Sequence, residues 1–306
     1  MPELPDVTIY VEALAKRISR ARFEKLLLGS PFLLRSIAPD PRELEGKTVE
    51  SVRRIGKRVV IGLEEELFLV IHLMIAGRLH WVPGPIRPKL QKKRGLARFD
   101  FSTGSLTLTE AGTKKRAALH LVGGESALRL LDPGGLEVLD ASLSDFRRAL
   151  DRENHTLKRS LTDPHLFSGI GSAYSDEILH RARLSPVVWS SRLSENEVER
   201  LYRAARETLI EWTDELRSHA GDSFPEKVTA FRPKMAVHGR YGKPCPVCGT
   251  AVQRIAYAEN ETNYCPSCQT EGKLLADRAL SRLLGKDWPK SLEELEDLKF
   301  RKRVEG

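Results

Sequence analysis

The first apolar pattern in the chain has the period of a helix. Apolar side chains recur at three- and four-residue spacing from Val7 to Ile18, as they do on one face of an amphipathic helix. Asp6 stands at the start of this run, where a carboxylate stabilises the positive end of the helix dipole. We therefore predict a helix that covers a core and anchors the first residues of the chain.

Between residues 47 and 108 the pattern changes to short runs rich in β-branched residues, separated by Gly, Glu or Pro. Such runs are typical of strands, and strands so close in sequence pair antiparallel. The pattern predicts a small sandwich or barrel. Its strands are Val49–Ile55, Val59–Leu63, Leu67–Leu73, Gly77–Val82, Ala97–Phe101 and Ser105–Thr109.

After the Pro-Gly-Gly turn at 133–135 the pattern becomes helical, with candidate helices at 143–151, 156–161, 176–183 and 195–218. A cysteine-bearing β module follows, and then a charged tail. The tail carries an apolar-periodic stretch from Leu274 to Leu284, and Ser291 with Glu294 has the pattern of a capping box. We predict an α+β chain of four parts: a sandwich with a flanking helix (1–125), a helical domain (138–232), the cysteine module (235–270) and a partly helical extension (271–306).

The charge distribution indicates a class of binding partner. The 306 residues carry a formal net charge of +8, and the stretches 81–99 and 232–257 hold six and five Lys or Arg residues without one acid. Two basic stretches suit a long polyanion such as nucleic acid, although a single charge run is usually a solvated loop. No segment approaches the run of about 18 apolar residues that a membrane helix needs. We expect a cytoplasmic protein.

The four cysteines form the most specific motif. Cys245-x2-Cys248 and Cys265-x2-Cys268 are separated by 16 residues, the spacing of two zinc knuckles that face each other across a hairpin. Four thiolates leave no open coordination position, so we predict one structural zinc ion. Disulfides are the alternative, and a chain without a signal peptide disfavours them. The hairpin tip would lie near residues 258–261.

A glycine-rich turn precedes the third helical segment. Gly169-Ile170-Gly171-Ser172 leads toward Glu177, so free N–H groups at a helix start could hold a phosphate, and Lys158 would add positive charge nearby. Most glycine-rich turns of this kind only reverse the chain and bind no phosphate. Because no strand precedes it, a dinucleotide-binding fold is disfavoured.

The chain begins Met-Pro-Glu-Leu-Pro-Asp. If Met1 is removed, Pro2 becomes a terminal secondary amine, and an α-amino group titrates at about 7.7–8.0, so part of it is nucleophilic at neutral pH. Such an amine can form an iminium with a sugar or carbonyl carbon. The alternative is that Pro2 only stiffens a surface terminus.

Taken together, five features resemble the formamidopyrimidine-DNA glycosylase and endonuclease VIII family over about residues 1–270. They are Pro2-Glu3-Leu4-Pro5, Gly56-Lys57, His72-Leu73 with Gly77-Arg78, the turn from Gly169 to Glu177, and the paired Cys-x2-Cys motifs. The resemblance implies an N-terminal β-sandwich, a helix-two-turn-helix domain and a zinc finger.

The resemblance also implies roles. Pro2 would attack C1′ of a damaged nucleotide, Glu3 would protonate the sugar ring oxygen, and Lys57 would contact a phosphate and donate a proton. Strand cleavage by β- and δ-elimination would follow. The DNA contacts it implies are His72, Arg78, Lys158, Gly171, Ser172 and Asn260.

The chain departs from the family pattern in residues that recognise DNA. Asn260 stands where the finger usually carries Arg, and Ser172 replaces the usual Asn. Ile75 occupies the position of a wedging Met, while the loop 110–116 has no aromatic wedge. Asp6 also replaces the usual Glu. Without an aromatic wedge, nothing offsets the stacking lost when a base leaves a duplex, so we expect a preference for single-stranded, abasic or otherwise unpaired DNA.

Two other functions compete with this one. A non-catalytic module that binds damaged DNA could use the same scaffold, although a binder needs neither Pro2, Glu3 nor Lys57. A zinc-ribbon protein that acts on RNA or another protein would explain Cys245 to Cys268 but not the N-terminus.

Overall fold

The computed structural model describes residues 1–226, 228–229, 231–257, 260–276, 285 and 288–304. The chain divides into two compact units. The first contains Met1–Gly135 with Leu209–Ala230, and the second contains Leu136–Thr208 with Phe231–Gly306. The four-part domain division stays a prediction, because these units group the chain by contacts alone.

The first unit is built from a helix and two antiparallel sheets. Helix α1 covers Leu4–Ile18, and a short helix α2 covers Glu125–Arg129. The strands are β1 (Phe23–Leu28), β2 (Val49–Ile55), β3 (Arg58–Leu63), β4 (Leu67–His72), β5 (Gly77–Pro83), β6 (Gly95–Phe101), β7 (Gly104–Glu110) and β8 (Ala118–Gly123). One sheet has the order β1-β6-β7-β5 and the other β2-β3-β4-β8. The α+β class and the antiparallel sandwich are confirmed.

The largest core lies between α1 and the two sheets. Tyr10 and Leu14 of α1 are completely buried with Ile61 of β3 and Phe99 of β6. The other face of β3 and β4 is also covered, because Val60, Phe68 and Val70 pack with Leu128 of α2. Burial on both faces explains why these two strands have a nearly continuous apolar sequence.

Two strands were not predicted. Strand β1 shows little alternation, since only Phe23 of its six residues is fully buried and its register shifts against β6. Strand β8 pairs with β4 across a long stretch of chain, from Ala118 opposite His72 to Gly123 opposite Leu67. The weak pattern of β1 and the distant pairing partner of β8 could not be predicted from the local spacing of apolar residues.

The second unit is mainly helical. Its helices are α3 (Leu143–Asp151), α4 (Leu157–Thr162), α5 (Ser172–Ala182) and α6 (Glu195–Ala220), whose last residues belong to the first unit. Strands β9 (Gln253–Tyr257) and β10 (Asn260–Tyr264) form the cysteine-module hairpin, followed by α7 (Pro266–Thr270) and α8 (Leu292–Val304). Helix α5 begins four residues before the predicted start at 176.

One of the two bonds of the capping box at Ser291 is present, since the Ser291 hydroxyl accepts a hydrogen bond from the Glu294 N–H at 3.2 Å. The Glu294 carboxylate accepts from the Lys290 N–H at 2.7 Å. The predicted hairpin tip at Ala258 and Glu259, and Leu280, Leu283 and Leu284 of the apolar stretch, lie outside the described residues. Within the described part of the chain, no helix has both the length and the apolar composition to cross a membrane.

Candidate active site and zinc centre

The start of the chain is fixed at the N-terminus of α1. Glu3 is the N-cap residue, and its N–H donates to a carboxylate oxygen of Asp6 at 2.9 Å. Pro2, Glu3 and Asp6 are all buried. Asp6 therefore holds the backbone of Glu3 in place, and it occupies the helix N-terminus where the macrodipole favours negative charge.

Four charged side chains surround the terminal amine. Burial lowers the pKa of the Met1 amine, Arg78 and Lys57 act in the same direction, and Glu3 and Asp6 oppose them. The structure thus brings the predicted residues Glu3, Lys57 and Arg78 together at the chain terminus. An amine in this setting is unprotonated to a greater extent than an exposed one.

Lys57 is positioned by a tight turn between β2 and β3. The register places Ile55 opposite Arg58, so Gly56 and Lys57 alone make the connection. Gly56 has a φ of 55°, a left-handed conformation that glycine adopts without strain. The turn is held by the Arg54 guanidinium, which donates to the Gly56 carbonyl at 2.6 Å.

His72 ends β4 opposite Arg58 of β3, beside this turn. Burial, together with charge repulsion from Arg58, Lys57 and His120, lowers the pKa of His72 to about 4. The imidazole is therefore neutral at physiological pH. It can accept or donate a hydrogen bond without adding to the local positive charge.

A compact turn carries Ile75 between β4 and β5. The Gly77 N–H donates to the Leu73 carbonyl at 2.9 Å, and Met74 is left-handed with a φ of 51°. The Arg78 guanidinium donates to the carbonyls of Gly77 at 2.7 Å and Ile75 at 3.4 Å. The Ile75 side chain is 48% exposed, so an apolar tip projects from a turn that is fixed by hydrogen bonds.

Glu110 organises the loop that leads from β7 to β8. Its buried carboxylate accepts from the N–H groups of Arg116 at 2.9 Å and Ala117 at 3.2 Å. Its carbonyl also accepts from the Lys115 ammonium. The loop is therefore closed by a single carboxylate.

In the second unit, the predicted phosphate turn leads directly into α5. Gly169 has a φ of 75°, which favours glycine, and Gly171 is the N-cap of the helix. The exposed Ser172 hydroxyl donates to the Glu261 carbonyl of β10 at 3.3 Å. Asn260 begins β10 opposite Tyr257. The roles of Gly171, Ser172 and Asn260 in DNA binding stay predictions.

Lys158, the predicted phosphate contact, has two hydrogen-bond partners within the protein. Its ammonium is buried, donating to Asp176 at 2.5 Å and to the Ser172 carbonyl at 2.6 Å. These bonds satisfy a buried charge. Lys158 therefore links α4 to the start of α5, and its contact with a phosphate stays a prediction.

Asp176 and Glu177 form a polar cluster that the sequence did not predict. Asp176 accepts from the His238 ring at 2.8 Å and from the Asn263 N–H at 3.2 Å. Glu177 accepts from the N–H groups of residues 236, 237 and 238 at 2.7–2.9 Å. Burial raises the pKa of Glu177, and these three donors oppose the shift. The sequence signal was the pair of adjacent acids directly before the apolar residues Ile178 and Leu179 of α5.

The four cysteines lie together as predicted. Their sulfur atoms are all within 4.8 Å of one another, with Cys248 and Cys265 3.4 Å apart and Cys245 and Cys268 4.0 Å apart. Tetrahedral coordination at a Zn–S distance of about 2.3 Å requires sulfur atoms roughly 3.8 Å apart. The residues thus fit one structural zinc ion. In addition, the His180 ring nitrogen lies 3.2 Å from the Cys245 sulfur.

Three family models cover most of the chain. The formamidopyrimidine-DNA glycosylase N-terminal domain matches residues 1–122, its H2TH domain matches 135–215, and the zinc finger found in FPG and IleRS matches 242–270. A formamidopyrimidine-DNA glycosylase of Heliobacterium modesticaldum is 34% identical over 281 residues, covering 88% of this chain and 100% of that protein. The chain belongs to the formamidopyrimidine-DNA glycosylase family.

Solved structures agree with this assignment. The MutM (Fpg) protein of Thermus thermophilus is 30% identical with a TM-score of 0.73, covering 88% of this chain and 98% of that one. A Lactococcus lactis Fpg in complex with DNA containing an abasic site has a TM-score of 0.76 at 24% identity, covering 88% of this chain and 99% of that one. The latter likeness supports the fold of this Fpg-family chain.

The low pKa of His72 makes stability depend on pH. Between the usual value of 6.5 and about 4, the unfolded chain binds a proton that the folded chain does not, so stability is complete above pH 6.5 and falls as the pH drops toward 4. The loss is at most about 3 kcal/mol, reduced by the partial solvation of the ring. We expect His72→Gln to weaken the pH dependence of the free energy of unfolding between about pH 4 and pH 6.5, measured by urea unfolding. His219→Gln, which changes an exposed histidine on α6, is the control. An unchanged pH dependence in His72→Gln would contradict the assignment.

The contact of His180 with Cys245 predicts an effect on the metal. An N–H donor stabilises a zinc-bound thiolate, and outer contacts of this kind change metal affinity by about 10- to 100-fold. We expect His180→Phe to weaken zinc binding by this factor in competition with a chromogenic chelator, while His219→Phe binds zinc as the wild type does. Equal affinities in all three proteins would show that the contact has no such role.

Proposed function

We propose that this chain is a bifunctional DNA glycosylase and AP lyase of base excision repair that uses Pro2 as its nucleophile. The observation that carries the proposal is the clustering of Glu3, Lys57 and Arg78 around the chain terminus, where burial lowers the pKa of the Met1 amine. The proposal requires removal of Met1. The protein would act as a monomer on damaged DNA in the cytoplasm of a bacterial-type cell.

The first step joins the enzyme to the sugar. The lone pair of the Pro2 nitrogen attacks C1′, and the bond between C1′ and the damaged base breaks with its electron pair on the base. Glu3 protonates the ring oxygen, the bond from C1′ to that oxygen opens, and C1′ and nitrogen form an iminium. A secondary amine can reach this cationic intermediate once its own proton is lost. The buried Glu3 carboxylate follows Pro2 directly in sequence and acts by charge on the amine at the chain terminus.

The second step cleaves the strand. Loss of a proton from C2′ expels the 3′ phosphate, and a further elimination at C5′ expels the 5′ phosphate, each leaving group taking the bonding electron pair. Lys57 and Arg78 place fixed positive charge beside the terminus, where phosphate charge gathers. Water then hydrolyses the iminium and frees Pro2. Neutral His72 can hydrogen-bond to the sugar-phosphate backbone next to Lys57.

Borohydride trapping tests the chemistry. Incubation with DNA containing an abasic site and borohydride is expected to give a covalent adduct that requires a free Pro2, so an uncleaved N-terminal tag abolishes it and Pro2→Gly diminishes it. We expect Glu3→Gln to slow base release by about 10²- to 10⁴-fold, the usual contribution of a general acid.

Glu50→Gln, which alters an exposed acid on β2, is the matched control and keeps wild-type activity. Adduct formation that survives the tag would place the nucleophile elsewhere. Tight binding of damaged DNA without any adduct would instead favour the non-catalytic binding protein.

We further propose that the enzyme prefers single-stranded or abasic DNA. The Ile75 side chain is exposed at the site, and the loop 110–116 contains no aromatic residue. Little therefore replaces the stacking that is lost when a base leaves a duplex. Single-turnover rates on one 8-oxoguanine strand, alone and paired with its complement opposite C, test this preference. We expect faster base release from the single strand. Equal or faster release from the duplex would refute the preference and leave the trapping result unaffected.

A further inference from the structure

A second group of metal-ligating side chains, distinct from the four cysteines, lies in the helical unit. Glu153 and His155 come from the connection between α3 and α4, and Asp163 directly follows α4. One ligand atom from each of the three side chains lies within 4.8 Å of the other two. We call these three residues the Glu-His-Asp cluster. None of them was predicted as a site residue, because their spacing matches no known metal motif.

The protein fixes the backbone of the first two ligands. The Ser190 N–H donates to the His155 carbonyl at 2.8 Å, and the Ser190 hydroxyl donates to the Glu153 carbonyl at 3.3 Å. Thr156, the next residue along the chain, forms an isolated bridge with Trp189. The connection before α4 is therefore held against the segment before α6, so its two ligands stand on an anchored backbone.

Asp163 organises the turn that follows α4. Its carboxylate accepts from the His165 N–H at 2.8 Å, and its carbonyl accepts from the N–H groups of Leu166 at 3.1 Å and Phe167 at 2.9 Å. Gly169, the left-handed residue of the predicted phosphate turn, follows two positions later. An ion bound to Asp163 would therefore act on the backbone that leads into this turn.

The hydrogen bond of the His155 ring determines which of its nitrogens can bind a metal. Nδ1 lies 3.1 Å from the Asn154 carbonyl oxygen. A carbonyl only accepts, so Nδ1 carries the proton, and in the neutral ring Nε2 then carries a lone pair. Metal-binding histidines are held in this way, with one ring nitrogen donating to the protein and the other bound to the ion.

The Nε2 atom of His155 lies beside the Glu153 carboxylate without a hydrogen bond to it. Nε2 and Oε2 are 2.6 Å apart. Nε2 is buried, and among the residues that the structure describes it has no hydrogen-bond partner. Two lone pairs this close repel each other unless a cation lies near both. A proton on Nε2 would need an aligned hydrogen bond, whereas a metal ion can lie to one side of the line between the two atoms.

The cluster carries negative charge that is not neutralised by a base. Across the described part of the chain, neither Glu153 nor Asp163 forms an ion pair with a Lys or Arg side chain. Arg152, which precedes the cluster, donates instead to the His165 carbonyl at 2.8 Å. Two carboxylates and one neutral imidazole match the charge of one divalent cation.

The ligand types indicate the class of metal. Mg²⁺ and Ca²⁺ favour oxygen ligands, and imidazole nitrogen favours transition metals, so a mixed set suits an ion such as Mn²⁺ or Zn²⁺. Ligand distances of about 2.0–2.2 Å place atoms at right angles around the ion about 3 Å apart. The contact of 2.6 Å is a few tenths of an ångström shorter than this, and the half-exposed Glu153 side chain has room to retract.

We propose that Glu153, His155 and Asp163 bind one divalent transition-metal ion, which joins the connection before α4 to the turn after it. This ion is separate from the zinc ion of the cysteine module. The inference goes beyond the proposed function and does not rest on it, because the cluster takes no part in the Pro2 chemistry. An ion that binds only the folded chain stabilises it, so the metal should also make this turn harder to open.

Manganese titration tests the site. Mn²⁺ is the probe because it stands lowest in the affinity order of the divalent metals and is poorly matched to thiolates, so it leaves zinc in the cysteine module. The electron paramagnetic resonance signal of free Mn²⁺ measures the bound fraction. We expect one saturable site on the zinc-loaded full chain, and an affinity weaker by at least about 10-fold in His155→Gln and in Asp163→Asn.

His219→Gln is the matched control. His219 lies 3.5 Å from Glu215 on α6 and belongs to no group of three ligands among the described residues, so its replacement should leave the Mn²⁺ affinity unchanged. Asp163→Asn keeps an oxygen that can accept from the His165 N–H, so the loss of affinity reports the ligand and not the turn. Absence of saturable binding up to about 1 mM Mn²⁺, the weak end of protein cation sites, would overturn the proposal, and so would an equal loss in His219→Gln.

Hydrogen exchange followed by mass spectrometry tests the link between the ion and the turn. The amides of His165, Leu166 and Phe167 donate to the aspartate of the cluster. Mn²⁺ should therefore slow their exchange in the wild type and not in His155→Gln. Binding that leaves these rates unchanged would refute the link. Both measurements use protein without DNA, so a failure of borohydride trapping would refute the lyase and leave this site standing.

Discussion

The burial of helix α1 against the two sheets is the constraint on which the candidate site depends. A chain terminus is ordinarily mobile, and a mobile nucleophile would lose the advantage of fixed orientation. Here Val7, Tyr10 and Leu14 are completely buried, and a fully buried side chain of this size contributes about 1.5–3 kcal/mol. Because Pro2 and Glu3 directly precede this anchored helix, their positions are fixed by the core itself.

The same core determines which charges meet the terminus. Lys57, His72 and Arg78 come from a hairpin turn, a strand end and a strand start that the pairing register brings to one edge. Several cations at one edge repel each other, and two features limit that cost. His72 is kept neutral by its lowered pKa, and Asp6 and Glu3 supply negative charge beside the amine. The site thus offers an anion the positive charges of Lys57 and Arg78, while His72 adds none.

The sequence predicted the class of fold, helices α3, α4 and α6 to within one or two residues, and the zinc ligands, because periodicity and ligand spacing are local properties. The position of α5 could not be read in this way. Its start was predicted at residue 176, whereas the helix begins at Ser172. The carboxylates of Asp176 and Glu177 are buried and hydrogen-bonded to residues 236–238 and 263. The ion pair between Lys158 and Asp176 could not be predicted either, since the two residues are 18 positions apart in sequence. Such pairings depend on tertiary structure and produce no periodic pattern in the sequence.

The hydrogen bonds of Asp176 and Glu177 have a consequence for cooperativity. They join α5 to the segment before the first knuckle and to strand β10, while Gln269 of α7 donates to the Leu184 carbonyl at 2.9 Å. In zinc-finger peptides the metal contributes about 10–16 kcal/mol of folding free energy. Through these bonds part of that energy supports α5, whose first residue is Ser172. We therefore expect the zinc module and α5 to open as one cooperative unit, so that the amide hydrogens of residues 236–238 exchange with solvent only when both open together.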